Sequence, residues 1–196
     1  NPTGEASHQK AEPYCDKAHT VEIAREIKRA GMMLLLDFHY SDNWADPGKQ
    51  IIPEAWRDAA SLSELAAELR SYTSDVVAAL VEADARPDMV QIGNEITPGM
   101  LIHVPSANPS PDAWGNIDML TNGVNGSASN WSNLATLLRE AIAGVKDVDS
   151  SIEILLQLEN TKSFPAIVSW VDNARARGVE FDVLGLPCYT AYHGEP

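Results

Sequence analysis

Apolar and polar positions along the chain follow two alternating periods. Met33 to Phe38, Met89 to Ile92, Ile152 to Leu158 and Phe181 to Leu186 are short, almost continuously apolar runs. That is the pattern of parallel strands covered on both faces. Between them the apolar spacing lengthens to steps of three and four. Leu62, Leu65, Leu69, Tyr72, Val76 and Leu80 form one such stripe, opened by Ser61 and Glu64 in capping-box spacing. Leu134, Leu137, Leu138, Ala141 and Val145 predict a second helix. Ile167, Val168, Val171 and Ala174 predict a third, opening with Pro165 and stopping at Gly178. An earlier helix carries Val21, Ala24 and Ile27 and ends at Gly31. Helices alternating with apolar strands predict a parallel α/β fold.

Loop lengths narrow the architecture. The long, aromatic-rich connections follow strands, Tyr40 to Ser61 and Ile96 to Asn130, whereas the returns from helix to strand are short. Chemistry is therefore expected at the C-terminal ends of the strands, as in doubly wound sheets and barrels alike. No Gly-x-Gly-x-x-Gly turn supports a dinucleotide site. A closed (β/α)8 barrel takes roughly 250 residues and eight strands, against four apolar runs in 196 residues. The chain is expected to be either an open sheet or an internal section of a longer one.

Composition excludes several partners. Fourteen Lys and Arg against 28 Asp and Glu leave a formal charge of −14, which repels nucleic-acid phosphates and anionic membranes. No stretch approaches the ~18 apolar residues of a membrane span. Asn1 to Glu5 has neither the basic nor the apolar region of a signal peptide, so an export signal is expected to lie outside this sequence. Cys15 and Cys188 lack metal-site and redox-motif spacing and could at most form one disulfide. No metal or organic cofactor is called for.

The strand ends carry the candidate chemistry. After the first strand, Asp37 to Gln50 gathers His39, Asp42, Trp44 and Asp46, a mixture suited to a sugar, with aromatic faces for the ring and polar groups for its hydroxyls. A solvated loop anchored by Trp44 is the plain alternative. After the second strand, Asn94-Glu95 places a carboxyl where burial raises its pKa and fits it for proton donation; a turn with a surface Glu is the plain alternative. After the third, Glu159-Asn160 adds a second carboxylate on the same rim. Glycoside hydrolysis needs two carboxyl groups across one bond, and Glu95 with Glu159 would be the pair in a complete open-sheet protein. Tyr189 and His193 follow the fourth strand, where a structural His is the commoner case. Cys188 with His193 or His39 as a thiol nucleophile and base is a weaker alternative, and no serine-hydrolase, Walker or His-Glu-x-x-His motif is present.

Taken together, Leu34 to Asp42, Trp44 to Gln50, Val90 to Ile96, Leu134 to Val145, and Asp182 to Leu186 with Tyr189 and His193-Gly194 closely resemble the endo-β-1,4-galactanases of glycoside hydrolase family 53, a retaining TIM-barrel family. The resemblance implies an α/β fold of the (β/α)8 TIM-barrel type, of which this chain holds about strands 3 to 6. It implies a single catalytic domain over 1–196, incomplete at both ends. Glu95 would be the general acid/base, and the nucleophile a Glu beyond Pro196. His39, Asp42, Trp44, Asn94, Asn160, Tyr189 and His193 would bind substrate. The whole protein would be a secreted, monomeric hydrolase of plant cell-wall galactan, without cofactor.

Rim positions depart from the family pattern. Gln157-Leu158-Glu159-Asn160-Thr161 stands where His-Leu-Asp-Asn-Gly is usual, Pro187-Cys188-Tyr189 where Ser-Tyr-Tyr is usual, and Tyr192 before His193-Gly194 where a Trp is usual. Ile102-His103 replaces a usual tryptophan. A clan hydrolase of another β-linked glycan and a non-catalytic carbohydrate-binding barrel are the alternatives.

Overall fold

The structure, a computed structural model, describes residues 2, 15–42, 44–103, 130–160 and 162–189. Four strands, β1 (Leu35–Phe38), β2 (Met89–Ile92), β3 (Glu153–Gln157) and β4 (Val183–Gly185), alternate with helices α1 (Lys17–Arg29), α2 (Leu62–Glu82), α3 (Trp131–Lys146) and α4 (Phe164–Arg175). The strands form one parallel sheet in chain order, with Asp37 level with Gln91, Gln91 with Leu155, and Leu155 with Val183. All four apolar runs are strands, shortened at their ends.

Local chemistry accounts for the helix starts. Asp16 caps α1 through a 2.8 Å bond from the His19 amide, and Ser61 caps α2 by accepting from the Glu64 amide. Glu64 returns to the Ala60 amide rather than to that of Ser61, so the capping box closes one residue early. Ser163 caps α4, with Pro165 in the first turn, where its missing N–H costs nothing.

The expectation of strands covered on both faces needs correction. Leu36, Phe38, Val90, Ile92, Ile154 and Leu156 are buried in one core with Leu65, Leu69, Leu80, Leu134 and Leu138 of the helices. On the other face Leu35 is 49% exposed. The crossover helices pack against the first face; on the second, Gln91 and Leu155 are buried, while Leu35 lies on the side a barrel fills with inward side chains. Cys15 and Cys188 do not bridge. Among the described residues no helix is long and apolar enough to cross a membrane.

Ion pairs fasten the edge where helices return to strands. Asp88 Oδ2 accepts from the Leu34 amide and from Lys28 Nζ, each at 2.7 Å. These bonds hold its carboxyl below the usual range. Arg86 Nε reaches Asp149 Oδ2 at 2.6 Å and Arg86 Nη2 reaches Ser151, joining the α2–β2 return to the α3–β3 return.

Helices α2 and α3 are tightly apposed at Gly144, where an added Cβ would stand 2.7 Å from the Arg70 carbonyl oxygen and 3.0 Å from Thr73 Cβ. In a free helix Gly→Ala gains ~1 kcal/mol. Here overlap reverses the sign: Gly144→Ala is expected to lower the denaturant midpoint, at a cost of about 1–3 kcal/mol. An unchanged or raised midpoint would show that the two helices are not so tightly apposed.

Candidate active site

At the end of β2 the chain reverses through two left-handed residues, Gly93 (φ 76°) and Glu95 (φ 54°). A Cβ on Gly93 would lie 2.6 Å from Ile96 Cγ2, so glycine is required both for the dihedral and for the space. Ile96 is fully buried and anchors the far side of the turn. Between these anchors Glu95 is half-buried. Its pKa is raised, first by burial and then by the negative charges of Glu159 and Asp46, with His39 partly opposing.

Glu159 lies two residues beyond Gln157 on the continuation of β3. Leu158 between them is buried and donates its amide to the Gly185 carbonyl at 3.0 Å. The two-residue period of an extended chain therefore puts Gln157 and Glu159 on the other side from Leu158. Glu159 Oε2 is buried and has no hydrogen-bond partner among the described residues.

The loop after β1 is fastened to this turn. His39 Nδ1 accepts from the Ala45 amide at 2.8 Å, so Nε2 carries the ring proton and faces Asp37 Oδ2 at 3.3 Å. The Ala45 carbonyl accepts from Asn94 Nδ2 at 2.7 Å, and Asn94 Oδ1 accepts from Gln91 Nε2 at 3.3 Å. The second Asn94 side-chain N–H has no acceptor among the described residues. Trp44, next to Ala45, is 66% exposed. His39 and Asn94 are thus linked through Ala45, with Trp44 and Glu95 their neighbours along the chain.

Other expected residues fall differently. Asp42 is 6% exposed and its Oδ2 accepts from the Glu54 amide at 2.8 Å, a placement that shapes the loop around the turn Glu54–Trp56 rather than presenting a carboxylate outward. Asn160 is exposed and borders a small cleft with Thr97, Leu158 and Trp170. Tyr189 is 56% exposed beyond β4. His193 lies outside the described residues. His103 is nearly buried: its Nδ1 accepts from the Gln50 amide at 2.9 Å, and it pairs with Ile51 in a parallel bridge. It is a bracket between loops. No group of three or more His, Cys, Asp or Glu among the described residues is arranged to hold a metal.

Sequence reasoning passed over the glutamines. Gln50 is 2% exposed, and its Nε2 donates to the carbonyls of Asp46 at 3.2 Å and Asn94 at 2.9 Å, with a longer 3.4 Å contact to that of Glu95. Gln157 Oε1 accepts from the Glu95 amide at 2.8 Å, while its backbone carbonyl accepts from Ile96 at 3.2 Å. The available signal was an amide side chain closing two otherwise apolar runs, at Gln91 and Gln157.

Comparison with known proteins points to one family. The model of "Glycosyl hydrolase family 53" matches residues 1–196. A Niallia circulans protein described as an uncharacterized protein in the bgaB 5' region is 40% identical over 92% of this chain and 46% of its own length. The arabinogalactan endo-beta-1,4-galactanase of Cellvibrio japonicus is 34% identical over 90% of this chain and 43% of its own. The solved GH53 catalytic domain of Ignisphaera aggregans superposes with a TM-score of 0.76 at 36% identity, over 93% of this chain and 44% of that one. The chain spans about half the length of the curated relatives it matches, and its parallel sheet with covering helices is part of a (β/α)8 barrel. With the match running through every strand and through the turn that carries Glu95, the chain belongs to glycosyl hydrolase family 53.

Proposed function

We propose that the whole protein is a retaining endo-glycoside hydrolase of β-1,4-galactan and that this chain supplies its acid/base side, about strands 3 to 6 of a single catalytic domain. The observation that carries the reading is Glu95, a strand-end carboxyl whose raised pKa favours the proton-bearing form. Support for galactan comes from the family and from relatives named as arabinogalactan galactanases.

In the first step Glu95 gives its proton to the glycosidic oxygen as that oxygen leaves the anomeric carbon with the bonding pair. A carboxylate nucleophile, expected beyond Pro196, takes the vacated position and forms a glycosyl ester. In the second step ionised Glu95 removes a proton from water, whose oxygen attacks the anomeric carbon and releases the carboxylate. The remaining Asn94 N–H binds the hydroxyl next to the scissile bond. Trp44 and Tyr189 stack on sugar faces, and His39, Asn160 and His193 bind hydroxyls. Asp42 acts through the loop it caps. A polysaccharide substrate cannot enter a cell intact, which favours a secreted protein, and nothing in the proposed chemistry needs a second subunit.

Glu95→Gln in the whole protein is expected to slow galactan hydrolysis by about 10²- to 10⁴-fold. Substrates with activated aryl leaving groups should lose far less in kcat/KM, and azide, which needs no general base, should restore their turnover. Full activity on galactan would remove Glu95 from the role. A protein that binds galactan but is inert before and after substitution would instead be a carbohydrate-binding barrel.

The pH dependence follows from the charges around the acid. The basic limb of kcat/KM reports ionisation of Glu95 in the free enzyme. Because the Glu159 charge raises that pKa, Glu159→Gln is expected to move the basic limb to lower pH. A limb that stays in place, or moves upward, would mean that another group controls it.

A further inference from the structure

The Glu95 turn is held from both sides by amide side chains that take no part in the chemistry proposed above. A non-glycine residue at positive φ is strained by roughly 1–2 kcal/mol, and it persists only where the surroundings over-determine it. At Glu95 they do. From the β1 loop, buried Gln50 donates through Nε2 to the Asn94 carbonyl and, at longer range, to that of Glu95. From β3, Gln157 accepts the Glu95 amide on Oε1 and the Ile96 amide on its main-chain oxygen. The peptide groups on both sides of Glu95 Cα are therefore fixed by two elements distant in sequence. Gln50 is itself fixed, because its main-chain amide donates to His103 Nδ1 and its carbonyl accepts from the amides of Ile102 and His103, each at 2.9 Å.

We infer that Gln50 and Gln157 are positioning residues that clamp the Glu95 turn in its left-handed conformation, so that the carboxyl is aimed at the leaving oxygen before substrate binds. The inference rests on the proposed acid/base role of Glu95. A general acid needs its proton within hydrogen-bond reach of the oxygen it protonates, and misplacement by about 1 Å costs on the order of 10²-fold. Three rotatable bonds separate the carboxyl oxygens from the Glu95 backbone, so a small rotation of either peptide swings them by such a distance. Neither glutamine is assigned a contact with sugar, which makes the clamp separable from binding.

Leaving-group dependence in the whole protein provides the test. Gln50→Met and Gln157→Met keep the side-chain length and remove the donor and the acceptor respectively. Each is expected to lower kcat/KM on galactan about 10- to 100-fold through kcat, while kcat/KM for an activated aryl galactooligosaccharide changes less than about threefold, because that leaving group needs little protonation. Gln157→Glu restores an acceptor for the Glu95 amide. It should recover most of the galactan activity and, by adding a negative charge, move the basic limb upward.

Arg86→Met supplies the structural comparison. It removes the ion pair with Asp149 at the opposite edge of the sheet and does not touch the turn, so it should lower the unfolding midpoint without changing the ratio between the two substrates. The clamp is overturned if the methionine variants lose both substrates in equal proportion, if they lose neither, or if Gln157→Glu performs no better than Gln157→Met. If Gln50→Met does not fold, as judged by circular dichroism, the Gln157 pair decides. Failure of the acid/base reading is distinct, because Glu95→Gln would then retain activity on galactan whatever the glutamines do.

Discussion

Where β2 leaves the sheet, the chain must turn sharply while its peptide groups are still out of water, and the rest of the site depends on how those groups are paired. A buried N–H or C=O left without a partner costs about 1–3 kcal/mol. Ladder bonds end at Ile92 because Gly93 and Glu95 have left-handed dihedrals. Side-chain amides take the place of the ladder: Gln50 for the carbonyls, Gln157 for the Glu95 amide, and Asn94 for the facing Ala45 carbonyl. The same bonds that keep the turn from being an orphaned segment also join three strand-end loops into one rim.

Acidic residues at the two edges of the sheet sit in opposite environments. At the edge where helices return to strands, Asp88 and Asp149 each have a cation and a backbone or hydroxyl donor, and both carboxyl groups are held below their ordinary range. At the opposite edge Glu95 has acidic neighbours, partial burial and no cation among the described residues in the ion pairs it makes, and its pKa moves upward. Position on the fold, not residue type, sets the direction. An acidic chain has little spare positive charge, so placing Lys28 and Arg86 at one edge leaves Glu95 at the other among negative charges that raise its pKa. One edge gains stability from its acids, and the other holds Glu95 with its pKa raised.

The strands and helices were legible because each element repeats a simple period: apolar runs for β1 to β4, and steps of three and four with capping residues for the helices. The left-handed turn at Glu95 was legible only as a location. Nothing in Gly93-Asn94-Glu95 alone says which residue takes positive φ, since that is settled by Ile96 packing and by bonds from Gln50 and Gln157, more than forty residues away in either direction by the separations of those bonds. Asp42 misled for a related reason. In sequence it is one more carboxylate in a polar loop, whereas in three dimensions the Glu54 amide, twelve positions on, claims it. His103 was read as a rim substitution because a loop-to-loop bridge leaves no periodic trace. Long-range hydrogen bonds from polar side chains are the part of this site that no local pattern encodes.

The strain at the rim is carried by the core. β1 also leaves the sheet through a left-handed non-glycine residue, Tyr40 (φ 51°), immediately after His39. Its ring stacks on Phe38 at 5.0 Å and lies near Trp56, and its hydroxyl bonds Thr73 of α2 at 2.9 Å. Burial pushes the Tyr40 phenol far above its ordinary pKa, which keeps it neutral and able to share that bond. Thr73 in turn lies against Gly144, where α2 and α3 are tightly apposed. Both exits that shape the rim, at Tyr40 and at Glu95, therefore spend conformational energy that only a rigid framework can sustain. His39 owes its tautomer to the Ala45 amide and its position to a tyrosine pinned by helix packing. The geometry of the polar rim is thus inherited from apolar contacts behind the sheet, which is why Glu95 and its neighbours can sit on loops and still be held in place.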